Sequence, residues 1–455
     1  MQSNALSQGA ALHAFASELY PICRSITGDG VRKTLALIGQ RVPLSIHEVP
    51  TGSRVFDWEV PLEWNIEDAA IRDPDGRRIA DFQAHNLHIV SYSEPKRATL
   101  SLDELRPNLH SLPSQPDWIP YRTSYYRRQW GFCLRHREVE RLGRGKYEVH
   151  VATSLEKGSL TYGEVTLPGR SSSEVLLFTH VCHPSLANDN TSGMAIATQI
   201  ASWLASEPRR FTYRIVFAPG TIGSLCWLKK NERRLGRVHC GLVLGLLGDP
   251  GSLTYKRSRR GDTVIDKIVP YVLQRHEATA RTIAFEPYGY DERQLCSPGF
   301  DLPVGRLTRS VNDGYPQYHT SADDLELVSA DALGRSFAVL CDVISAIESV
   351  RYYVNLSPKG EPQLGKRGLY GAMGGQSPAE RQYSMLWILS QSDGTASLLD
   401  VAERSGIGLA ALRGAAEDLA AAGLLRDADE QRGRALKRRS ARKKRSKRKK
   451  SRKGD

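Results

Sequence analysis

The sequence predicts an α/β layer sandwich with a central mixed, mostly parallel sheet. Between about residues 147 and 350, short apolar and β-branched runs alternate with helical patterns, and that alternation is typical of strand–helix–strand units. The predicted strands are Tyr147–Ala152, Glu174–His180, Thr212–Ala218, Val238–Leu246, Thr282–Glu286 and Val304–Leu307. The helical runs lie at about 191–206, 223–235, 262–276 and 331–349.

Two segments near the N-terminus complete the predicted organisation of this part of the chain. Residues 8–40 carry helical periodicity, and residues 1–48 are expected to join residues 136–355 in the α/β domain. Residues 49–135 are rich in Pro, Trp, Tyr and Asp, and the turn sequence Asp73–Gly76 separates short alternating runs. A small β-rich module is therefore expected to be inserted at 49–135.

The C-terminal part predicts a winged helix-turn-helix domain. Residues 356–376 include a Pro/Gly-rich stretch typical of a linker, and residues 377–430 show an apolar helix, then helix, Gly turn, helix and a short strand. The expected recognition helix, Leu409–Leu419, contains one Arg and two acidic residues. A helix with so few basic side chains is poorly suited to contact DNA phosphates or guanine bases, so a small protein-binding module is the alternative.

The positive charge of the chain is confined to one segment. The formal net charge is +13, but residues 431–455 contain 15 Lys and Arg against the single acid Asp455, so the rest of the chain is close to neutral. A segment of this composition cannot pack a core and is predicted to be a disordered basic tail. It is either a solvated tail or a non-specific binder of polyanions such as nucleic acid.

Composition gives no sign of membrane insertion or secretion. The hydrophobic fraction of 40% and charged fraction of 25% are ordinary for globular proteins. No uninterrupted apolar run is long enough for a membrane span, and the N-terminus lacks a basic region followed by an apolar one. The seven cysteines are scattered without CxxC spacing, which favours free thiols and a cytoplasmic location.

The loop that follows the predicted strand Glu174–His180 is the most informative part of the chain. It holds His180, His183 and Asp189 and leads into a helical pattern after Gly193. The carboxyl end of a buried strand is where α/β sheets collect ligands and catalytic groups. Imidazole and carboxylate form the ligand set of catalytic zinc sites, and such zinc lowers the pKa of its bound water to about 7.

Two segments carry a resemblance to a known superfamily. His180 to Gly193, with the later run Tyr318–Asp324, resembles the metal-binding segments of co-catalytic zinc aminopeptidases of the bacterial leucyl-aminopeptidase type. Over residues 10–427 the chain most closely resembles a bacterial family of aminopeptidase-like proteins of unassigned function, with an inserted β module and a C-terminal winged helix. Further stretches carry this likeness: Tyr125–Tyr126, Trp130–Cys133, Tyr255–Gly261, Asp291–Gln294, Cys296–Gly299 and Glu361–Tyr370.

The resemblance implies an aminopeptidase-like fold and metal ligands at His180, Asp189 and His319. In the aminopeptidases the aspartate bridges two zinc ions and each histidine binds one. Two imidazoles and one carboxylate also suffice for a single zinc with a position open for water. A pocket that has kept the fold without the metal is the alternative.

The chain departs from the aminopeptidase pattern at three places. Cys182 stands where the pattern has an aspartate, and Gly220 and Thr221 stand where it has a glutamate pair that supplies the general base and a ligand. Gly245 stands where a further carboxylate ligand is expected. One zinc ion, rather than two, is therefore predicted, because each of two metals would be short of protein ligands.

Other residues could replace the missing groups. His183 is either an extra ligand or fixes the loop by a hydrogen bond, and Asn190 could orient Asp189 from outside the ligand set. Glu292 and Asp291 are the predicted replacements for the catalytic base, since a general base must lie within hydrogen-bond reach of the metal-bound water. A salt bridge with Arg293 or Arg257 is the alternative for Glu292.

A run of basic residues after one strand predicts an anion- or substrate-binding loop. Arg257, Arg259 and Arg260 could recognise a carboxylate or phosphate bidentately if the loop borders the pocket. A solvated basic turn is the alternative.

The sequence thus favours a zinc-dependent, aminopeptidase-like hydrolase that cleaves an amide or peptide bond in a small peptide-like or amino-acid-conjugate substrate. The first alternative is a catalytically impaired protein of the same fold that binds a ligand, because Gly220 has replaced the glutamate. The second is a nucleic-acid-associated regulator that uses the winged helix and the basic tail.

Overall fold

The computed structural model describes residues 2–369 and 378–428, and the chain divides into two compact units, residues 1–343 and 344–455. The predicted basic tail, residues 431–455, lies outside the described residues. The helices, in chain order, are α1 (Gln2–Leu19), α2 (Asp29–Gly39), α3 (Leu102–Leu105), α4 (His136–Glu140), α5 (Gly193–Ala205), α6 (Ile222–Asn231), α7 (Val264–His276), α8 (Glu292–Leu295), α9 (Ala330–Ser349), α10 (Pro378–Gln391), α11 (Leu398–Ser405) and α12 (Leu409–Ala421).

The strands, in chain order, are β1 (Ser45–Pro50), β2 (Arg54–Val55), β3 (Trp58–Glu59), β4 (Glu63–Arg72), β5 (Arg78–Asp81), β6 (Lys96–Ser101), β7 (Leu109–His110), β8 (Phe132–Cys133), β9 (Lys146–Glu156), β10 (Ser159–Leu167), β11 (Glu174–His180), β12 (Thr212–Ala218), β13 (Val238–Leu244), β14 (Thr254–Lys256), β15 (Arg281–Ile283), β16 (Val304–Thr308), β17 (Tyr352–Asn355), β18 (Asp393–Ser397) and β19 (Leu425–Asp427).

The first unit is built on an eight-stranded sheet with the order β1-β10-β12-β11-β13-β16-β14-β15. β11 lies between β12 and β13 and runs parallel to both, and β13 runs parallel to β16. β10 and β14 run antiparallel to β12 and β16. The sheet is therefore mixed with a parallel centre, as the sequence predicts.

The central position of β11 follows from its composition. All seven of its residues are buried, because a parallel strand covered on both faces needs a continuous apolar run. Leu176 and Phe178 belong to a core cluster that also contains Val216 and Trp227. The strand ends at His180, so the polar loop begins inside the protein rather than on its surface.

A smaller sheet forms the inserted β module, with the order β5-β4-β9-β6 and its own core around Ile71, Phe132 and Tyr147. β9 pairs with β4 from Glu63↔Glu156 to Arg72↔Glu148, so this strand belongs to the smaller sheet. The boundaries predicted from the sequence place it in the α/β domain instead. Its alternating burial identifies a half-buried strand but does not identify which sheet contains it.

The second unit contains α10, α11 and α12 with a three-stranded sheet of order β18-β17-β19. Gly406 ends α11 in the left-handed conformation (φ 73°) and makes the turn before α12. The predicted boundaries place β17 at the end of the α/β domain, but it pairs with β18 and β19. On α12, Asp418 pairs with Arg381, and Arg413 lies 3.8 Å from Glu417.

The described residues include no helix that is long and apolar enough to cross a membrane. All seven cysteines are free thiols. The cytoplasmic location stays a prediction.

Candidate metal centre

A buried polar loop positions the central residues of the site. β11 ends at His180, the chain passes through Val181–Leu186, and a short helical turn, Ala187–Ser192, then leads into α5. Asp189 and Asn190 interrupt that turn with non-helical backbone angles. Every residue from His180 to Gly193 is buried, so the polar groups of the loop must bind one another or a ligand.

Three imidazoles surround one carboxylate. His180 Nε2 lies 2.8 Å from Asp189 Oδ1, whereas His183 Nδ1 and His319 Nε2 lie 3.2 and 3.1 Å from Asp189 Oδ2. One ligand atom from each of His180, His183 and Asp189 lies within 4.8 Å of the others. The structure therefore brings together the three predicted ligands, His180, Asp189 and His319. It also places His183 in one compact group with His180 and Asp189.

These separations fit a metal-binding set. Ligand atoms bound tetrahedrally at about 2.0–2.1 Å from one zinc lie about 3.3 Å apart, close to the distances between the carboxylate and the imidazoles. The donor types are those that zinc prefers in catalytic sites. The side chains of His180, His183 and Asp189 are at most 5% exposed, and 34% of His319 is exposed, so access is from the His319 side.

The electrostatics of the cluster favour an ionised carboxylate. Burial raises the pKa of Asp189, but the charge of His183 and hydrogen bonds from the three histidines hold that pKa well below its usual value. Burial lowers the pKa of His180 to about 4, so this ring is neutral at pH 7. The ionised Asp189 and the neutral His180 are in the protonation state that binds a metal. Burial lowers the pKa of His183, but Asp189 raises it well above its usual value, so His183 must lose its proton before its ring can bind zinc.

Neighbouring residues hold the cluster in place. Asn190 Nδ2 donates to Thr179 Oγ1 at 2.8 Å and to the carbonyl oxygen of His180 at 3.0 Å, so it fixes the end of β11. The Asp323 carboxylate accepts hydrogen bonds from the backbone N–H groups of Asn188 and Asp189. The sequence predicts that Asn190 orients Asp189, but its hydrogen bonds go to Thr179 and His180 instead.

His319 reaches the cluster from a separate loop. Its backbone is left-handed (φ 55°), its ring stacks on Tyr318 with centroids 3.9 Å apart, and Tyr121 meets it edge-on. Tyr121 also meets the His183 ring edge-on. These rings form an aromatic wall beside the carboxylate.

A tyrosine occupies the space of the missing glutamate. A Cβ atom at Gly220 would overlap the ring of Tyr290, so a larger residue cannot stand there unless Tyr290 moves. Tyr290 lies against His180 with ring centroids 4.2 Å apart, and its hydroxyl is 3.2 Å from His183 Nε2 and from Cys182 Sγ. The Tyr290 side chain therefore contacts both histidines of the loop from the side where the aminopeptidase pattern has a glutamate.

A side chain at position 245 would meet less obstruction than one at position 220. A Cβ atom at Gly245 would lie 3.0 Å from Asn190 Oδ1 and 3.6 Å from His180 Cε1. That oxygen of Asn190 is buried and has no hydrogen-bond partner among the described residues. Position 245 therefore faces the cluster, as the resemblance implies, and in this chain it supplies no ligand.

The two predicted bases have different surroundings. Glu292 is 2.5 Å from Lys256 Nζ and 3.7 Å from Arg306 NH1, so its ion pairs are with these residues and not with Arg293 or Arg257. Burial raises its pKa, but Arg306 and Lys256 lower it more. Glu292 is therefore an ionised carboxylate with its own partners.

Asp291 is buried without such partners. Both of its carboxylate oxygens lack a hydrogen-bond partner among the described residues, and burial raises its pKa to about 7. The hydroxyl of neighbouring Ser224 donates instead to the carbonyl oxygen of Thr221. Neither Asp291 nor Glu292 belongs to the metal-ligand group formed by the described residues.

The three arginines of the predicted anion loop have acceptors nearby. Arg257 NH1 donates to the carbonyl oxygens of Gly261 and Asp266 at 3.0 Å. Arg259 and Arg260 are exposed and lie 2.9 and 3.8 Å from Asp301. The alternative of a solvated basic turn describes Arg259 and Arg260, and an anion-binding role for the loop stays a prediction.

Sequence reasoning missed Tyr290, Asp323 and Arg306 as parts of this neighbourhood. Tyr290 and Asp323 lie in or beside motifs that the sequence highlights, but no spacing rule says that an aromatic ring replaces a glutamate from another strand. Arg306 lies within an apolar strand, β16, where a single charged residue gives no signal of its partner. Only the folded positions reveal these roles.

Two family models match the chain, one over each part. Residues 13–350 match a family model described as a domain of unknown function, DUF4910, and residues 351–427 match a winged helix-turn-helix model. The chain belongs to the DUF4910 family. The predicted C-terminal winged helix is confirmed by the second match.

Relatives of known structure place this DUF4910 protein in an aminopeptidase-like fold. A Clostridium acetobutylicum protein named "Putative polysaccharide biosynthesis protein with aminopeptidase-like domain" is 48% identical over 91% of this chain and 96% of its own length. A crystal structure called a "putative peptidase" from the same organism has a TM-score of 0.88, is 46% identical and covers 93% of this chain and 98% of its own. A zinc aminopeptidase from Bacillus subtilis shares the fold, with a TM-score of 0.56, 12% identity, and coverage of 75% and 95%.

Proposed function

We propose that this protein is a zinc-dependent hydrolase that cleaves an amide or peptide bond in a small peptide-like or amino-acid-conjugate substrate. The observation that carries the proposal is the buried Asp189 carboxylate with three imidazoles within 3.2 Å, at the carboxyl end of the central strand. The aminopeptidase-like fold and the peptidase-like relatives support the same reaction class.

One zinc ion is proposed, held by Asp189, His180 and His183, with His319 at the same carboxylate from the more exposed side. Bound zinc would supply a water of lowered pKa and polarise the substrate carbonyl. Tyr290 would orient His183 through its hydroxyl, and Asn190 would fix His180, because partners outside the ligand set hold ligand geometry. The absence of carboxylates at positions 220 and 245 argues against a second ion.

Of the two predicted bases, Asp291 is the one without an ion pair among the described residues, and we propose that it accepts the proton from water. A base works best when its pKa is near the working pH, and burial raises the pKa of Asp291 to about 7. Glu292 is committed to Lys256. Asp291→Asn is therefore expected to reduce kcat by about 100-fold or more, the usual contribution of general base catalysis.

The experiment is hydrolysis of aminoacyl p-nitroanilides by the zinc-loaded protein. We expect release of nitroaniline that a chelator stops, that added zinc restores and that Asp189→Asn abolishes. Asp301→Asn is the matched control, because Asp301 pairs with exposed arginines of the basic turn. Hydrolysis that persists after the metal has been removed would refute the proposal.

A second candidate function is ligand binding without catalysis, and the Tyr290 ring at Gly220 is the observation that favours it. If the chain has lost its base, a Gly220→Glu variant that also carries Tyr290→Ala should gain hydrolysis where the parent has none. If the parent hydrolyses the substrate and the double variant does not improve on it, the second candidate is wrong.

The structure offers little in favour of a nucleic-acid regulator. The winged helix is present, but on α12 the acidic Asp418 pairs with Arg381, and Arg413 donates to Ser349 Oγ at 3.3 Å. Polyanion binding by residues 431–455 stays a proposal that rests on charge alone.

A further inference from the structure

A small pocket is formed by β14, β15, β16 and the segments that follow β15 and β16. Its lining includes Lys256, Arg306, Thr308 and Asn312, and we call it the cationic pocket. Its volume is about 70 Å³, which at about 15 Å³ for each water holds roughly five waters, or a carboxylate on a short stem. The pocket lies within the first unit.

Two chains of contacts link the cationic pocket to the histidines. Asn312 Nδ2 donates to the Tyr318 hydroxyl at 3.1 Å, and Tyr318 stacks on His319. On the other side, the lining residue Gly289 precedes Tyr290, whose ring lies against His180. The cationic pocket and the metal centre are therefore connected through the side chains of Tyr318 and Tyr290.

Arg306 supplies a buried positive charge and an unused hydrogen-bond donor to the lining of the pocket. It is 4% exposed, and its Nε–H has no hydrogen-bond partner among the described residues. Its nearest carboxylate contact is Glu292, 3.7 Å from NH1, which is too long for a hydrogen bond. A buried guanidinium with an unused donor is costly, because each unsatisfied buried donor loses its hydration without compensation.

The charges around the cationic pocket do not cancel. Glu292 lies 2.5 Å from Lys256, and the Lys256 ammonium also donates to the carbonyl oxygen of Tyr288 at 2.7 Å. Glu292 also lies 3.7 Å from Arg306 NH1, so one buried carboxylate faces two buried cations and a positive charge is left over. The neighbouring Asp291 has no hydrogen-bond partner among the described residues, and its burial disfavours the charged form. Glu286, the other carboxylate that lines the pocket, is exposed to solvent and its charge is therefore screened.

We propose that the cationic pocket binds a carboxylate of the substrate through Arg306, so that the preferred substrates are acidic. The inference rests on the proposed function, because it describes a subsite beside the same metal centre. The carboxylate belongs either to an acidic side chain next to the scissile bond or to the C-terminus of a short peptide. Charge-assisted hydrogen bonds make either source about 10-fold or more better than its amide counterpart.

The first experiment is binding of glutarate and its uncharged isostere glutaramide to the zinc-loaded protein, measured by calorimetry. We expect glutarate to bind about 10-fold or more tightly than glutaramide, and Arg306→Met to reduce glutarate affinity by about that factor without changing the affinity for glutaramide. Arg335→Met is the control, because Arg335 is an exposed arginine on α9 that pairs with Asp331 and lies outside both proposed sites. Arg306→Lys retains a charge and should retain more affinity than Arg306→Met, with melting curves to confirm folding.

The second experiment compares hydrolysis within two substrate pairs. Glutamyl against glutaminyl p-nitroanilide tests a side-chain carboxylate, and alanyl-alanine against alanyl-alanine amide tests a C-terminal one. The pair whose acidic member loses its advantage in Arg306→Met identifies the source of the carboxylate.

The outcomes separate the two proposals. If no substrate is hydrolysed but glutarate binding depends on Arg306, the proposed function fails and the cationic pocket stands. If hydrolysis occurs, but Arg306→Met binds glutarate as the parent does and neither pair shows an acidic preference, the pocket proposal is overturned and the proposed function stands.

Discussion

Replacement of Asp291 by asparagine should change how the stability of the first unit depends on pH. The folded protein holds this carboxyl at a pKa of about 7, because its burial disfavours the charged form. In the unfolded chain the pKa returns to its ordinary value of 3.8. The folded state therefore binds this proton more tightly, and the stability that Asp291 contributes is lost as the pH rises from about 4 to about 7.

The size of the effect follows from the two pKa values. The difference between the two pKa values corresponds to about 4 kcal/mol when the group is fully ionised, and about 2–3 kcal/mol of this falls between pH 5 and pH 8. The amide of the Asp291→Asn variant does not titrate, so the variant should lack this loss. Asp323, whose pKa burial also raises to about 7, titrates in both proteins and cancels in the comparison.

The assay is urea unfolding of both proteins at several values between pH 5 and pH 8, followed by tryptophan fluorescence. The difference in unfolding free energy between Asp291→Asn and the wild type should move in favour of the variant by about 2–3 kcal/mol across this range. Parallel pH profiles would refute the reasoning, because they would mean that Asp291 is ionised in the folded protein across the whole range.

Three further predictions concern the metal centre and the tail. His183→Asn should weaken zinc binding by about 10-fold or more in calorimetry. The control His276→Asn, which changes an exposed histidine paired with Asp342, should leave zinc binding unchanged. If His183→Asn binds zinc as tightly as the wild type, His183 is not a ligand. Gly220→Glu should lower the melting temperature by several degrees, because the new Cβ atom would overlap the Tyr290 ring. Adding Tyr290→Ala to the same chain should restore most of the loss. An unchanged melting temperature for Gly220→Glu alone would contradict the clash. Removal of residues 431–455 should abolish salt-sensitive retention on heparin, and persistent retention would point to the winged helix.

Much of the fold could be predicted from the sequence, because periodicity records which residues are buried. The continuous apolar run before His180 identifies the central parallel strand β11. Alternation cannot decide which sheet a strand joins. For that reason the sequence assigns β9 and β17 to the α/β domain, and both pair elsewhere.

The candidate site is predictable where one loop carries the chemistry. His180 ends one strand and Asp189 lies in the loop after it. His319 is predicted only because the segment Tyr318–Asp324, far along the chain, resembles a metal-binding segment of the zinc aminopeptidases. The partnership of Glu292 with Lys256, and the filling of the Gly220 position by Tyr290, depend on side chains from different elements. Sequence order contains no rule for such replacements, so the structure was needed to find them.

The zinc content of the purified protein, measured by elemental analysis in the wild type and in Asp189→Asn, tests the central claim most directly. One buried carboxylate with three imidazoles predicts about one zinc per chain in the wild type and almost none in the variant. About two zinc ions per wild-type chain, or zinc retained by Asp189→Asn, would contradict a single metal held at this carboxylate.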